Sequence, residues 1–268
     1  PLPYGNYGQY SSVATNGDVR AVSVYNKTYG DLMVGTVDDS GTASWSIVDG
    51  VPDDGDIEGA LDGPRGGISD GGPDVGTHTA IAVDNAGKLH VVYRSNSAGS
   101  LKYARGTPDS GSYSFEIAEL ATVGTAAYYT DALIREGTFH IVHSAYMIED
   151  PDQSWQTQVR HLSFPVDTPI DQLDLSANVV HTTSPAIPCG YSCGGGERCF
   201  MNDATCAEPT EDCDSCADGT ACRSGSCEPV FTSPKDRYKN MTGLYNDLTR
   251  TPDGLLVVFG DNRQRRVG

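Results

Sequence analysis

Thr77-His-Thr-Ala-Ile-Ala-Val-Asp-Asn-Ala-Gly-Lys-Leu-His-Val-Val-Tyr-Arg-Ser-Asn-Ser-Ala-Gly-Ser-Leu-Lys-Tyr-Ala-Arg105 decides the fold. Three runs in it, Thr79-Ala-Ile-Ala-Val, His90-Val-Val-Tyr and Leu101-Lys-Tyr-Ala, have the composition of short strands. The segments between them, Asp84-Asn-Ala-Gly and Asn96-Ser-Ala-Gly, have the composition of turns. A fourth run follows at Phe115-Glu-Ile-Ala. Four short strands in meander order make one propeller blade, and the chain repeats the unit.

The repeats align on a glycine between the first two strands: Gly87 before His90-Val-Val-Tyr93, Gly137 before His140-Ile-Val-His143, and Gly254 before Leu256-Val-Val-Phe259. Gly17, ahead of Ala21-Val-Ser-Val-Tyr25, marks the first copy. Each glycine suits a tight turn that needs positive φ. Nine residues before the later three glycines stand His78, Tyr128 and Tyr245, and the first copy offers Tyr10. The expected fold is an all-β propeller of four-stranded antiparallel blades. About four blades are begun, the last one incomplete, and a small disulfide-rich insertion interrupts them. Residues 1–183 form blades one to three, 184–235 the insertion on the channel-mouth face, and 236–268 the start of blade four.

Composition agrees. The 268 residues include 31 glycines and 15 prolines, and helical periodicity is nearly absent. The 36 acidic residues outnumber 18 Lys and Arg for a formal charge of −18, which argues against nucleic acid or an anionic membrane as partner and for a solvated acidic surface. No apolar run approaches the roughly 20 residues that span a bilayer. No signal peptide is visible, so Pro1 reads as a processed start.

All 8 cysteines lie between Cys189 and Cys227. They form two four-cysteine units in tandem: Cys189, Cys193, Cys199 and Cys206, then Cys213, Cys216, Cys222 and Cys227. Zinc is the rival reading, because Cys213 and Cys216 have ligand-like spacing. The even count and a stretch too poor in apolar residues to fold without staples favour disulfides within each unit, hence an oxidising compartment and a secreted or cell-surface protein.

Residues 49 to 74 are acidic and glycine-rich. Asp53, Asp54, Asp56 and Glu58 could give calcium its oxygen ligands, although a solvated connector explains the loop without an ion. Blade three carries a long excursion from Tyr146 to Trp155. Blade four reaches its second strand before Gly268, so either a second polypeptide or further chain is expected to complete it.

Blade topology puts the starts of the innermost strands, the acidic loop, the excursion and the cysteine units on one face. His78, Tyr128, Tyr245 and Tyr10 are expected to ring the channel mouth there, as catalytic or binding groups or as packing. Asp131 is a further catalytic candidate, since its counterparts on the same alignment are Ile81 and Leu248. Arg94 and Arg263 end second strands at the same rim and could bind a carboxylate. His143, where other blades have Tyr25, Tyr93 and Phe259, fits interblade packing or the binding face. The sequons at Asn26 and Asn240 bear on a eukaryotic host alone.

Ser12-Val-Ala, Ala80-Ile-Ala-Val-Asp with Gly87 and His90-Val-Val-Tyr, and Leu101-Lys-Tyr-Ala resemble the blades of secreted bacterial propellers of the sialidase-like, BNR-related superfamily. Asp39-Ser-Gly-Thr-Ala-Ser-Trp45 resembles its Asp-box turn, with the aromatic one residue late. The four-cysteine units resemble disulfide repeats found beside such propellers. The resemblance covers most of the chain outside 184–235 and implies architecture rather than one activity. The arginine triad, Tyr nucleophile and acid/base Asp of sialidase-like enzymes do not map onto these residues as a set. The expected function is binding of an extracellular glycan or protein on the insertion-rich face. The alternative is a polysaccharide lyase or glycoside hydrolase with its site at the channel mouth, using Tyr and His as base and acid.

Overall fold

A computed structural model describes residues 6–50, 72–149, 155–182, 193, 196–200, 205–218, 220–230, 242–261 and 266–267. Blade one consists of β1 (Gln9–Asn16), β2 (Val19–Asn26), β3 (Asp31–Val37) and β4 (Ala43–Asp49). Blade two follows with β5 (Val75–Val83), β6 (Leu89–Ser95), β7 (Ser100–Asp109) and β8 (Ser112–Ala121). Blade three has β9 (Thr125–Arg135), β10 (Thr138–Glu149), β11 (Trp155–Pro165) and β12 (Asn178–Thr182). Each is a four-stranded antiparallel meander in chain order, as the sequence leads one to expect of a propeller.

The blades stack face to face. Ala21, Leu32 and Val34 of blade one meet Ile81, Leu89, Val91, Tyr93 and Ala104 of blade two. The opposite face of blade two sets Ala80, Ala82, Val92, Leu101 and Tyr103 against Phe139, Ile141, Leu162 and Phe164 of blade three. Side chains alternate faces along a strand, so a blade covered on both sides must be apolar at consecutive positions. This is why β6 is buried along its whole length. Val142 and Val159 then meet Leu248 and Phe259 of blade four, which is built from β17 (Thr242–Thr251), β18 (Gly254–Asp261) and β19 (Arg266–Val267). Blade four therefore extends to a third strand, one more than the sequence reading expects.

Two of the turns opposite the mouth are the same device. Asp84 Oδ1 accepts hydrogen bonds from the Ala86 and Lys88 backbone N–H groups at 2.9 and 2.8 Å, and Asp38 Oδ1 accepts from Ser40 and Thr42 at 2.9 Å each. The Asp-box-like turn is thus shaped by Asp38 rather than Asp39. Trp45 lies flat over Gly35, where a Cβ would meet its ring at 3.0 Å. Gly17, Gly87 and Gly137 have positive φ, whereas Gly254 does not: it is already the first residue of β18, and Pro252 and Asp253 make that turn. Asn26 is buried, with its Oδ1 accepting from the Thr28 N–H, and is no glycan acceptor in the folded chain. The described residues of the Tyr146 to Trp155 excursion, 146–149 and 155, are strand, since β10 and β11 run out to pair Glu149 with Trp155.

Between blades three and four the described residues form two hairpins, β13 (Arg198–Phe200) with β14 (Thr205–Ala207) and β15 (Thr220–Arg223) with β16 (Ser226–Pro229). Disulfides join Cys193 to Cys206, Cys213 to Cys222, and Cys216 to Cys227, each within its own unit. Cys199 is also disulfide-bonded, and Cys189 lies outside the described residues. Sulfurs tied up in this way are not thiolate ligands, so zinc is excluded for these pairs. Phe200 and Val230 are the buried apolar centre, with the Arg223 guanidinium 4.9 Å from the Phe200 ring centroid.

A ring of aromatic side chains at the channel mouth

The first strand of every blade carries the same irregularity. Gln9 pairs with Tyr25 and Ser12 with Ser23, so three steps on β1 match two on β2. The same extra residue lies between Thr77 and Ala80, Tyr128 and Asp131, and Leu244 and Asp247. Such a bulge turns a side chain that would otherwise enter the seam.

Backbone dihedrals repeat with it. Gly8, Gly76, Ala127 and Gly243 have φ of 91°, 106°, 65° and 75°. Two residues later Tyr10, His78, Tyr129 and Tyr245 have φ of 53°, 52°, 47° and 55°. Left-handed backbone is disfavoured for bulky residues, and four occurrences at one repeat position make it a constructed feature. Gly76 is required here, because a Cβ would sit 2.8 Å from Leu32 Cα of blade one.

The bulges bring four rings into a continuous arc. Centroids are 4.5 Å apart from Tyr10 to His78, 5.1 Å from His78 to Tyr129, and 4.9 Å from Tyr129 to Tyr245. Three of the expected mouth residues stand in it; in blade three the positive-φ place belongs to Tyr129, while the Tyr128 ring also meets His78, edge-on with centroids 5.4 Å apart. The ends of the arc are open to solvent, with Tyr10 46% and Tyr245 77% exposed. His78 Nδ1 accepts the Tyr129 backbone N–H at 3.2 Å, which leaves the proton on Nε2. Burial, and secondarily the charge of Arg94, push its pKa down to about 4. The Tyr129 phenol is pushed up, chiefly by burial and then by Tyr245 and Tyr10.

Tyr128 turns toward the seam. Its ring lies 4.1 Å from the Arg94 guanidinium carbon and 4.8 Å from the Tyr146 centroid. Arg94 is buried rather than part of a charged rim: it donates to the Ala126 carbonyl of blade three and to Asn96 Oδ1, and no carboxylate pairs with it among the described residues. Tyr25 and Ser144 occupy the same register position and also reach the next blade, Tyr25 to Asp74 Oδ1 at 3.0 Å and Ser144 to the Gly243 carbonyl.

Asp131 is likewise an interblade peg. On the bulge alignment its counterparts are Ser12, Ala80 and Asp247, not Ile81 and Leu248. Ser12 Oγ accepts the Ile81 N–H at 3.2 Å, and Asp131 Oδ2 accepts the Leu248 N–H at 2.7 Å. Asp131 Oδ1 takes its own neighbour, the Ala132 N–H. Burial is the main influence on its pKa and raises it.

His143 is fully buried, in register with Val24, Tyr93 and Phe259, and burial pushes its pKa down to about 4. A buried chain of polar groups that sequence reading missed joins Tyr103 Oη to His90 Nδ1 at 2.8 Å and His90 Nε2 to Asp84 at 3.4 Å. It has no access to solvent and anchors the Asp84 turn. Asp53, Asp54, Asp56, Glu58 and Arg263 lie outside the described residues. The flanking Asp49 and Asp74 are both engaged by neighbouring blades, through Tyr93 and Tyr25.

No family model matches the chain, and no curated protein matches it. Among solved structures it is similar to the Hadza microbial sialidase Hz136, with 14% identity, 66% of this chain and 38% of that one covered, and a TM-score of 0.42. A bifunctional GH43-CE protein of Bacteroides eggerthii has 12% identity over 94% of this chain and 22% of that one, with a TM-score of 0.37. A thermostable family-43 glycoside hydrolase has 14% identity over 96% and 85%, with a TM-score of 0.42. The chain thus spans well under half the length of the first two.

Proposed function

We propose that this chain is part of an extracellular propeller that binds a glycan across the ring arc at the channel mouth. The arc of Tyr10, His78, Tyr129 and Tyr245 carries the reading. Flat aromatic faces suit the apolar faces of sugar rings, while phenol oxygens and the His78 Nε2–H hydrogen-bond hydroxyls. The disulfides fit an oxidising compartment, and among the described residues no helix is long and apolar enough to cross a membrane.

A second reading has one observation in its favour. A neutral imidazole beside phenols, near a buried guanidinium that no carboxylate pairs with among the described residues, could serve a lyase acting on an acidic polysaccharide. The same ring offers no pair of carboxylates for glycoside hydrolysis among the described residues.

Titration calorimetry against a panel of neutral and acidic oligosaccharides tests the binding reading, with ultraviolet absorbance recording any turnover. Tyr245→Ala is expected to weaken binding by about 3- to 10-fold, the worth of one aromatic contact, at unchanged melting temperature. Binding should stay level from pH 8 to 5, because His78 remains neutral. Full affinity in both Tyr245→Ala and Tyr129→Ala would move the ligand off the ring, and turnover abolished by His78→Gln would favour the lyase.

A further inference from the structure

The seams between blades one and two and between blades two and three share one strand register but bring different side chains to it. At the end of β4 a bulge at Val48 lets Leu32 pair with Asp49 and Met33 with Ile47. The Asp49 carboxylate then crosses the seam and accepts hydrogen bonds from Tyr93 Oη, at 2.7 Å, and from Lys102 Nζ. The end of β8 repeats this register: Leu101 pairs with Ala121 and Lys102 with Glu119, with the bulge at Leu120. Ala121 thus stands where Asp49 stands one blade earlier.

Blade three keeps the donors. His143 and Arg160 pair directly across β10 and β11, as Tyr93 and Lys102 do across β6 and β7, and so share the face turned toward blade two. His143 Nδ1 lies 3.3 Å from both the Ala127 N–H, from which it can accept, and the Ser144 carbonyl, to which it can donate; the accepting tautomer carries the ring proton on Nε2. His143 Nε2 and Arg160 Nε are both buried without a hydrogen-bond partner. No carboxylate pairs with Arg160 among the described residues; its Nη1 donates to Gln158 Oε1. Buried donors, a guanidinium above all, are costly to leave unmet.

We propose that His143 and Arg160 hold a small monovalent anion, the size of a carboxylate group, in the seat that Ala121 leaves open. The seat lies on second and third strands, behind the ring arc, so it does not depend on the glycan reading. The anion bridges blades two and three as Asp49 bridges blades one and two. Formate is the simplest probe, because it is the carboxyl group that Ala121 lacks.

Melting of wild type and Ala121→Asp is compared across a sodium formate titration, so that general salt effects are common to both. The melting temperature of the wild type should rise saturably, by about 2–4 °C more than that of Ala121→Asp. Ala121→Asp carries its own carboxylate and should start higher. Arg160→Met should lose the saturable part. Imidazole NMR of His143 gives a second readout should Ala121→Asp fold poorly: formate should shift the Nε2–H resonance in wild type and leave it unmoved in Arg160→Met. Parallel melting curves for wild type and Ala121→Asp together with a His143 signal indifferent to formate would overturn the proposal and leave a buried water as the partner.

Discussion

The blades and the cysteine-rich segment between blades three and four solve the same problem by different means. Blade two buries side chains on both faces and owes its cohesion to neighbours in space. Among the described residues the cysteine-rich hairpins bury only Phe200, Val230 and the half-cystines Cys199 and Cys222, and are closed by covalent links between residues 9 to 13 positions apart. A short segment that cannot assemble a core can still be folded if its unfolded state is restricted, and disulfides do that. Insertion of such a segment then makes few demands on the propeller that carries it.

The strongest way to break this contrast is reduction. Thiol reductant at neutral pH is expected to abolish amide protection across residues 193 to 230, since each native disulfide is worth about 2–5 kcal/mol. Blade melting should be unchanged. Hydrogen exchange by mass spectrometry reads both regions at once; a segment that stays protected when reduced would mean that packing, not the disulfides, folds it.

Acid acts in the opposite sense. All 6 histidines lie in the blades, and burial lowers the pKa values of His78, His90, His140, His143 and His161. Below the ordinary value of 6.5 the unfolded chain takes up protons that the folded blades refuse. Stability present above that pH is therefore lost as pH falls toward 4. His78 and His143 should each account for on the order of 1–2 kcal/mol by pH 5. Urea midpoints at pH 7 and pH 5 should differ for the blades, while protection of the disulfide segment stays constant. Equal midpoints would mean that the imidazoles charge without cost in the folded state.

The smallest change separates polar from apolar cohesion within the blades. Asp131→Ala orphans the Leu248 N–H across the seam and is expected to cost about 1–3 kcal/mol, with Asp131→Asn recovering most of it. Denaturant unfolding of the two substituted proteins decides, and equal stability of Asp131→Ala and wild type would show that the peg is dispensable.

Strand composition made the blades legible, because alternate faces must be apolar wherever a sheet is covered on both sides. The mouth was legible only to within a residue. Counting back from the turn glycines assumes hairpins of constant length, yet Val83 and Leu89 flank a longer loop in blade two than Arg135 and Thr138 do in blade three. Loop ends absorb such differences; the bulge cannot, because it is wedged against the neighbouring blade. Aligned on the bulge, Gly8-Gln-Tyr, Gly76-Thr-His, Ala127-Tyr-Tyr and Gly243-Leu-Tyr show a glycine or alanine two residues before the ring residue, a sequence signal that places Tyr129 and removes the apparent oddity of Asp131. Nothing local could announce that Arg94 is buried, since its fate depends on the carbonyl of Ala126 in the next blade.

The ring residues stand on strands rather than loops, and this bears on how fast and how cheaply a ligand can be taken up. Aromatic side chains with two torsions each, set on a bulge locked between blades, have little freedom left to lose, so association should need no rearrangement of the site. The rate is then left to long-range charge. With a formal charge of −18 on the chain, a neutral sugar should associate at a rate indifferent to salt, whereas an anionic one should be slowed at low ionic strength and speed up as salt screens the field.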